Sequence, residues 1–177
     1  MGRLLIGIGG AGNNTVNNII EENELQIDTL VINSDKKGLE ASLSKNKIFL
    51  DTEKYESLEN AFKNISSKLS TIVTSYSNVF IVLGLGGDCG TSIIKVLHQV
   101  IKDKDVILKV VGIMPFNYEG AVRKKKALET VIKTKSKYKE LKLFENQSLF
   151  ETASSNTTFL EAFKFMDNNI ASYIKNN

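Results

Sequence analysis

Two glycine-rich stretches carry the residues whose types and spacing could do chemistry. "GIGGAGNN" (7–14) sets Gly7, Gly9 and Gly12 in the pattern G-x-G-x-x-G, after an apolar run and before a helical one. A strand that turns into a helix through such glycines presents backbone N–H groups at the helix amino end, an anion site suited to phosphate. "LGLGGDCGTS" (83–92) repeats the arrangement. Gly86 and Gly87 permit close backbone approach, Asp88 and Cys89 follow, and Gly90, Thr91 and Ser92 lead into a second apolar helix. Two such loops at neighbouring strand ends would cradle a di- or triphosphate from two sides. A dinucleotide fold needs only the first loop, with an acidic residue about 20 positions on for the ribose; Asp35 in "INSD" could fill that role. A tight turn that brings helix onto strand, with no ligand at all, is the third reading. Neither loop ends in G-K-[ST], which argues against a Walker-type ATPase.

The elements that must position these loops are legible as alternating patterns. The runs 3–8, 29–33, 47–50, 79–84, 106–113 and 141–144 read as buried strands. Helical spacing covers 12–23, 36–43, 55–75, 91–103, 119–138 and 158–175, with Ile93, Ile94, Val96, Leu97, Val100 and Ile101 as one apolar stripe. Strands alternating with helices predict right-handed crossovers and an α/β, doubly wound, mainly parallel sheet, with ligands at the carboxyl ends of the strands. One domain over 1–177 accounts for the length, and 42% hydrophobic residues fit an ordinary core.

Charge and cysteine content narrow the classes. A net charge of +3 does not imply nucleic acid. The basic stretch 123–142 is expected to bury Ala127, Leu128, Val131 and Ile132 beneath a solvated cationic face. Cys89 is the only cysteine, so no internal disulfide forms. The amino end reads as the start of the fold rather than a signal peptide, and no apolar run reaches the ~20 residues of a membrane span. The expectation is a cytoplasmic protein without a membrane span. His98 reads as a surface or satisfied side chain rather than a catalyst.

Five motifs taken together resemble the amino-terminal GTP-binding domain of the FtsZ/tubulin family, the archaeal kind in particular. They are "GIGGAGNNTVNNI", "LVINSD", "VFIVLGLGGDCGTS", "MPFNYEGAVRKKKALE" and "SLFETASS…FLEAFKFMDNNI", in the family's order and spacing over nearly the whole chain. The resemblance implies a Rossmann-like GTPase-domain architecture that binds GTP or GDP, with Mg²⁺ as a further expected ion. Gly9, Gly10, Ala11, Gly12, Asn13 and Asn14 match the first phosphate loop. Gly86, Gly87, Cys89, Gly90 and Thr91 occupy the family's signature loop, Glu119 and Arg123 the positions near the ribose. Phe163 and Asp167 match an aromatic that packs on guanine and a carboxylate that accepts its N–H groups. Read from the residues alone, this pair, at i and i+4 on one helix face, could equally be core and a solvated charge.

Three departures set further expectations. Asp88 and Cys89 replace a glycine and a threonine. A carboxylate ~4 Å from phosphate, at an effective dielectric near 20, would be repelled by about 4 kcal/mol. Turning outward, bridging through Mg²⁺ or capping the helix would each relieve this. Cys89 could react with oxidants, although a buried inert thiol is the plainer reading. The region after the third strand, "LDTEKYESLENAF", lacks the family's third glycine-rich loop. The motifs run out in or just after the long central helix, before the family's second domain and its water-activating carboxylates. No catalytic residue is therefore assigned, and hydrolysis by this chain alone is expected to be weak or absent. The expected role is guanine-nucleotide binding tied to cell division or cytoskeletal assembly, as a cap or regulator of full-length FtsZ or another filament protein. A degenerate interaction scaffold that binds no nucleotide and a Rossmann-type dinucleotide-binding domain are the alternatives.

Overall fold

In a computed structural model the chain is described over residues 2–22, 25–101, 105–135, 140–148 and 158–177. The elements are β1 (Gly2–Ile8), α1 (Gly9–Glu22), β2 (Asp28–Asn33), α2 (Lys36–Glu40), β3 (Asn46–Phe49), α3 (Thr52–Tyr55), α4 (Leu58–Val73), β4 (Tyr76–Gly84), α5 (Asp88–Ile101), β5 (Ile107–Met114), a 3-10 turn (Asn117–Glu119), α6 (Ala121–Lys135), β6 (Leu141–Glu145) and α7 (Phe159–Lys175). The strands form one parallel sheet in the order β3-β2-β1-β4-β5-β6. The order reverses between β1 and β4, so the two glycine-rich loops leave adjacent strands at the switch point of a doubly wound sheet.

Both faces of the sheet are covered, which is why its strands read as unbroken apolar runs. Leu4, Ile6 and Ile8 of β1 join a core with Phe62 of α4, Ile93 of α5 and Ala127 of α6. Leu5, on the other face, joins Val16 and Ile19 of α1 and Met166, Ile170 and Ile174 of α7. In α7, Ala162, Met166, Ile170 and Ile174 are buried at every fourth position, a stripe that holds the helix on the sheet. Its carboxyl end is fastened as well. Arg3 donates to the Ile174 carbonyl and Lys109 Nζ to the Asn177 carbonyl at 3.2 Å, cations where a helix end presents oxygen atoms.

Two expectations are corrected. The helix expected over 55–75 is α4, Leu58–Val73, and Tyr55 instead ends the separate short α3. Glu56 adopts φ 61, and Ser57 then caps α4 through Asn60 N at 3.2 Å. The buried face of α6 is Ala127, Thr130, Val131 and Thr134, whereas Leu128 and Ile132 are 50% and 70% exposed. Threonine can be buried there because each hydroxyl returns to a helix carbonyl, Thr130 to Lys126 at 2.8 Å and Thr134 to Thr130 at 2.6 Å. The expected helix ends at 23, 102–103 and 136–138 lie outside the described residues, as do the side chains of Leu97, Ile101 and His98.

The closest packing lies where α1 meets the sheet. A Cβ on Gly7 would stand 2.4 Å from Gly12 O, and one on Gly12 would stand 2.3 Å from Val82 O. Backbone cannot yield as a side chain can, so no larger residue fits. Gly12→Ala is expected to destabilise the fold by about 3 kcal/mol, read as a lower urea midpoint with unchanged m; an unchanged midpoint would contradict this packing.

Candidate functional site

A cavity of about 840 Å³ opens at the carboxyl ends of β4 and β5, within the size range of small-molecule sites. α1 forms one wall with Gly10, Ala11, Asn14 and Thr15, and α7 the opposite wall with Phe163, Lys164 and Asp167. Gly84 and Leu85 form its floor, and Glu119, Arg123 and Asn146 close the far side.

One end lies beside two helix starts. α1 starts at Gly9 and α5 at Asp88, and a Cβ on Gly9 would stand 3.2 Å from that of Cys89, so the first turns of the two helices are neighbours, with that of α1 lining the cavity. Gly9 and Gly86 take φ of 69 and 77, a conformation that suits glycine, and this lets both chains turn sharply out of the sheet. Beyond Gly10 there is open space where a Cβ would stand. The other expected loop residues support these turns from behind. A Cβ on Gly90 would lie 2.3 Å from Gly84 O, so this glycine seats α5 on β4. Thr91 Oγ1 donates to Gly87 O at 2.9 Å, and Asn13 Nδ2 to Gly38 O at 2.9 Å. Gly9, Gly12, Asn13, Gly86, Gly87, Cys89, Gly90 and Thr91 are not among the side chains that line the cavity; Gly10, Ala11, Asn14, Glu119, Arg123, Phe163 and Asp167 are.

The departures from the expected loops have definite placements. Asp88 is 77% exposed and paired with Lys126, so its charge is turned outward and neutralised. Cys89 is partly buried, with its thiol 3.5 Å from Ser34 Oγ and its Cβ against Gly9. After β3, Asp51 accepts from Lys54 N at 2.9 Å as the cap of α3, so this region is made of helix caps. Asp35 likewise caps α2 through Lys37 N at 3.1 Å, and it does not line the cavity. That leaves a dinucleotide reading without its acidic residue.

The opposite end is aromatic and acidic. Phe163 is 42% exposed, edge-on to Phe116 at 5.4 Å, and Phe116 stacks on Tyr118 at 5.0 Å. Glu119 accepts from Phe116 N at 2.7 Å and holds Arg123 at 3.1 Å, so the two expected ribose residues form one paired unit. Asp167 accepts from Thr15 Oγ1 at 2.6 Å; burial lifts its carboxyl to about 6, and the Thr15 hydrogen bond acts in the opposite sense. Asn146, only 7% exposed, keeps its Oδ1 without a partner among the described residues while lining the cavity. A buried acceptor left open beside a cavity suits a donor on a ligand. Nothing in the sequence singled out Asn146, since a lone asparagine after a strand reads as a turn residue. Thr15 was hidden for another reason, because its partner stands far along the chain on α7. Among the described residues no three His, Cys, Asp or Glu side chains gather to hold a metal. A Mg²⁺ here would rest mainly on phosphate and water oxygens.

The chain matches the family described as "Tubulin/FtsZ family, GTPase domain" over residues 4–154. It is 33% identical over 172 residues to the cell division protein FtsZ of Rickettsia felis, covering 92% of this chain and 38% of that one. The FtsZ of Magnetospirillum gryphiswaldense is 30% identical, covering 97% and 32%. The chain thus spans less than half the length of these curated relatives. Among solved structures, the FtsZ dimer of M. jannaschii superposes with a TM-score of 0.83 at 28% identity, covering 98% of this chain and 53% of that one. CetZ2 from Haloferax volcanii, solved as a GTPγS-bound protofilament, shares the fold with a TM-score of 0.81 at 18% identity, covering 98% and 57%. No helix among the described residues is long and apolar enough to cross a membrane.

The raised Asp167 carboxyl has a consequence for stability. Its folded value of about 6 exceeds the ordinary 3.8, so between these the folded protein keeps a proton that the unfolded chain has released. Stability therefore falls as pH rises from about 4 to 6, by an order of 2–3 kcal/mol. Asp167→Asn should flatten that slope and raise stability at pH 7.5 by about 1–2 kcal/mol, with little change at pH 4, in urea unfolding curves. A slope that survives the substitution would assign the pH dependence elsewhere.

Proposed function

The chain belongs to the tubulin/FtsZ family, and from that membership we propose that it binds guanine nucleotide in the cavity between α1 and α7. The observation that carries this reading is Asp167, a partly buried carboxylate at the aromatic end of a cavity whose other end is lined by the first turn of α1. A fold that needed no ligand there would be more stable without that charge.

In this reading the first turns of α1 and α5 and the loop from Gly84 to Gly87 take the phosphates. Glu119 and Arg123 flank the ribose. Phe163 offers its ring to the base, while Asp167 accepts the adjacent N–H groups of guanine. Adenine presents a different edge and leaves the buried acceptors unsatisfied. Asn146 Oδ1 is a further acceptor for the nucleoside. Cytoskeletal or division-related assembly is the process that the family membership supports. Of the carboxylates that line the cavity, Glu119 is held by Arg123, Asp167 by Thr15, and Glu21 stands on the last turn of α1, away from the first glycine loop, so no general base stands at the phosphate end among the described residues. The proposed activity is binding, with water activation left to groups outside this arrangement.

A degenerate scaffold is the competing reading, and the Thr91 hydroxyl, tied to Gly87 rather than free for phosphate, favours it. Calorimetric titration of nucleotide-stripped protein with GDP and GTP, with and without Mg²⁺, separates the two, with ATP and NAD as controls. Micromolar or tighter binding of both guanine nucleotides, with ATP and NAD at least tenfold weaker, is expected. No heat at millimolar nucleotide would leave the scaffold.

Head-to-tail assembly joins two unlike faces, and the nucleotide face is one of them. We propose that this face docks on filaments of full-length FtsZ, as a cap or regulator. Equimolar chain should then reduce the FtsZ pelleted in a sedimentation assay; an unchanged pellet would count against docking.

A further inference from the structure

Thr15 lies one helical turn beyond Ala11 on α1, is 1% exposed, and has two acceptors within reach of one hydroxyl. Asp167 Oδ1 is 2.6 Å away and the Ala11 carbonyl 3.2 Å. A hydroxyl has a single hydrogen to donate but can accept as well. While Asp167 is ionised, the shorter contact holds that hydrogen and fixes the rotation of the carboxylate from the facing helix. Once Asp167 is protonated, the hydroxyl can turn to Ala11 and receive the acid's own hydrogen. Ala11 belongs to the first glycine loop, so this one side chain touches both ends of the cavity.

We propose that Thr15 is the positioning residue of the base end, holding the Asp167 carboxylate ionised and turned so that its remaining lone pairs face the cavity. This rests on the guanine reading above. The charged groups around it are engaged elsewhere. Glu22 of α1 pairs with Lys164 of α7 at 2.6 Å, Glu161 accepts from Thr158 N at 2.8 Å, and Arg123 pairs with Glu119 at 3.1 Å across the cavity. Glu21 lines the cavity from α1 and can only oppose ionisation of a neighbouring carboxylate. Among the described residues, Thr15 is therefore the hydrogen-bond donor that favours the charged form. A threonine that merely bonds back to the carbonyl four residues earlier would fill space equally well, but it would not move the titration of Asp167.

The test compares wild type, Thr15→Val and Thr15→Ser, with Thr15→Ala standing in if the valine variant does not fold. In nucleotide-free protein labelled with ¹³C at aspartate, the Asp167 carboxyl signal is assigned through Asp167→Asn and followed with pH. Its midpoint is expected to rise by about one pH unit in Thr15→Val, a tenfold change in proton affinity, and to return in Thr15→Ser. GDP affinity measured from pH 5 to 8.5 should lose half its value at a correspondingly higher pH in Thr15→Val. The preference for GDP over inosine diphosphate, whose base lacks the 2-amino donor, should narrow several-fold at pH 7. An unmoved carboxyl midpoint in Thr15→Val, or in Thr15→Ala where it stands in, overturns the inference. Wild type that binds no GDP at any pH overturns the guanine reading instead, and the carboxyl titration still decides whether Thr15 governs Asp167.

Discussion

The first turn of α1 runs so near the ends of β1 and β4 that peptide groups, not side chains, meet there. Gly7 lies against the carbonyl of Gly12, and Gly12 against that of Val82. The rest of the site depends on this contact. It sets the height at which α1 leaves the sheet, and so where the amide groups of its first turn lie relative to those of α5. Were α1 lifted by the thickness of a methyl group, the two helix ends would no longer stand side by side. Thr15, one turn further along, would also lose its reach to α7.

At the other end of the cavity the problem is electrostatic. A partly buried carboxylate is costly to ionise, and a single hydroxyl does not remove that cost. The offset comes from the apolar stripe of Ala162, Met166, Ile170 and Ile174, which binds α7 to the sheet whether or not Asp167 carries charge. Each larger member of such a stripe contributes on the order of 1.5–3 kcal/mol when fully buried. Packing of α7 therefore makes room for an unfavourable group aimed at the cavity. That division of labour within one helix is what a binding site needs.

Much of this was legible in the residue order. A sheet covered on both faces makes every strand a continuous apolar run, and such runs announced all six strands to within a few residues. The glycine loops were legible because at Gly7, Gly12, Gly86 and Gly90 only glycine tolerates the backbone contacts, so the constraint is written in residue type. What stayed hidden depends on pairings distant in sequence. Leu128 and Ile132 looked buried by type, but the threonines beside them satisfied their own hydroxyls and took the inner face instead. The break at Glu56 went unread because a left-handed turn without glycine leaves no mark in composition. Asn146 and Thr15 are ordinary residues until β6 and α7 bring a cavity and a carboxylate to them.

The fastening of α7 also has a mechanical side. Arg3 and Lys109 tie its carboxyl end to β1 and β5, and beside its apolar stripe it meets α1 through three polar pairs among the described residues: Asp167 to Thr15, Asn168 to Asn18 and Lys164 to Glu22. Measured from Ile174, the helix is an arm that Ala162 and Met166 also pin to the sheet at the base end. From Ile174 back to Asp167 that arm is about 10 Å, so a swing of roughly five degrees moves the carboxylate by nearly 1 Å, enough to make or break a hydrogen bond. The clamp at one end of a helix thereby sets the tolerance with which a base can be read at the other.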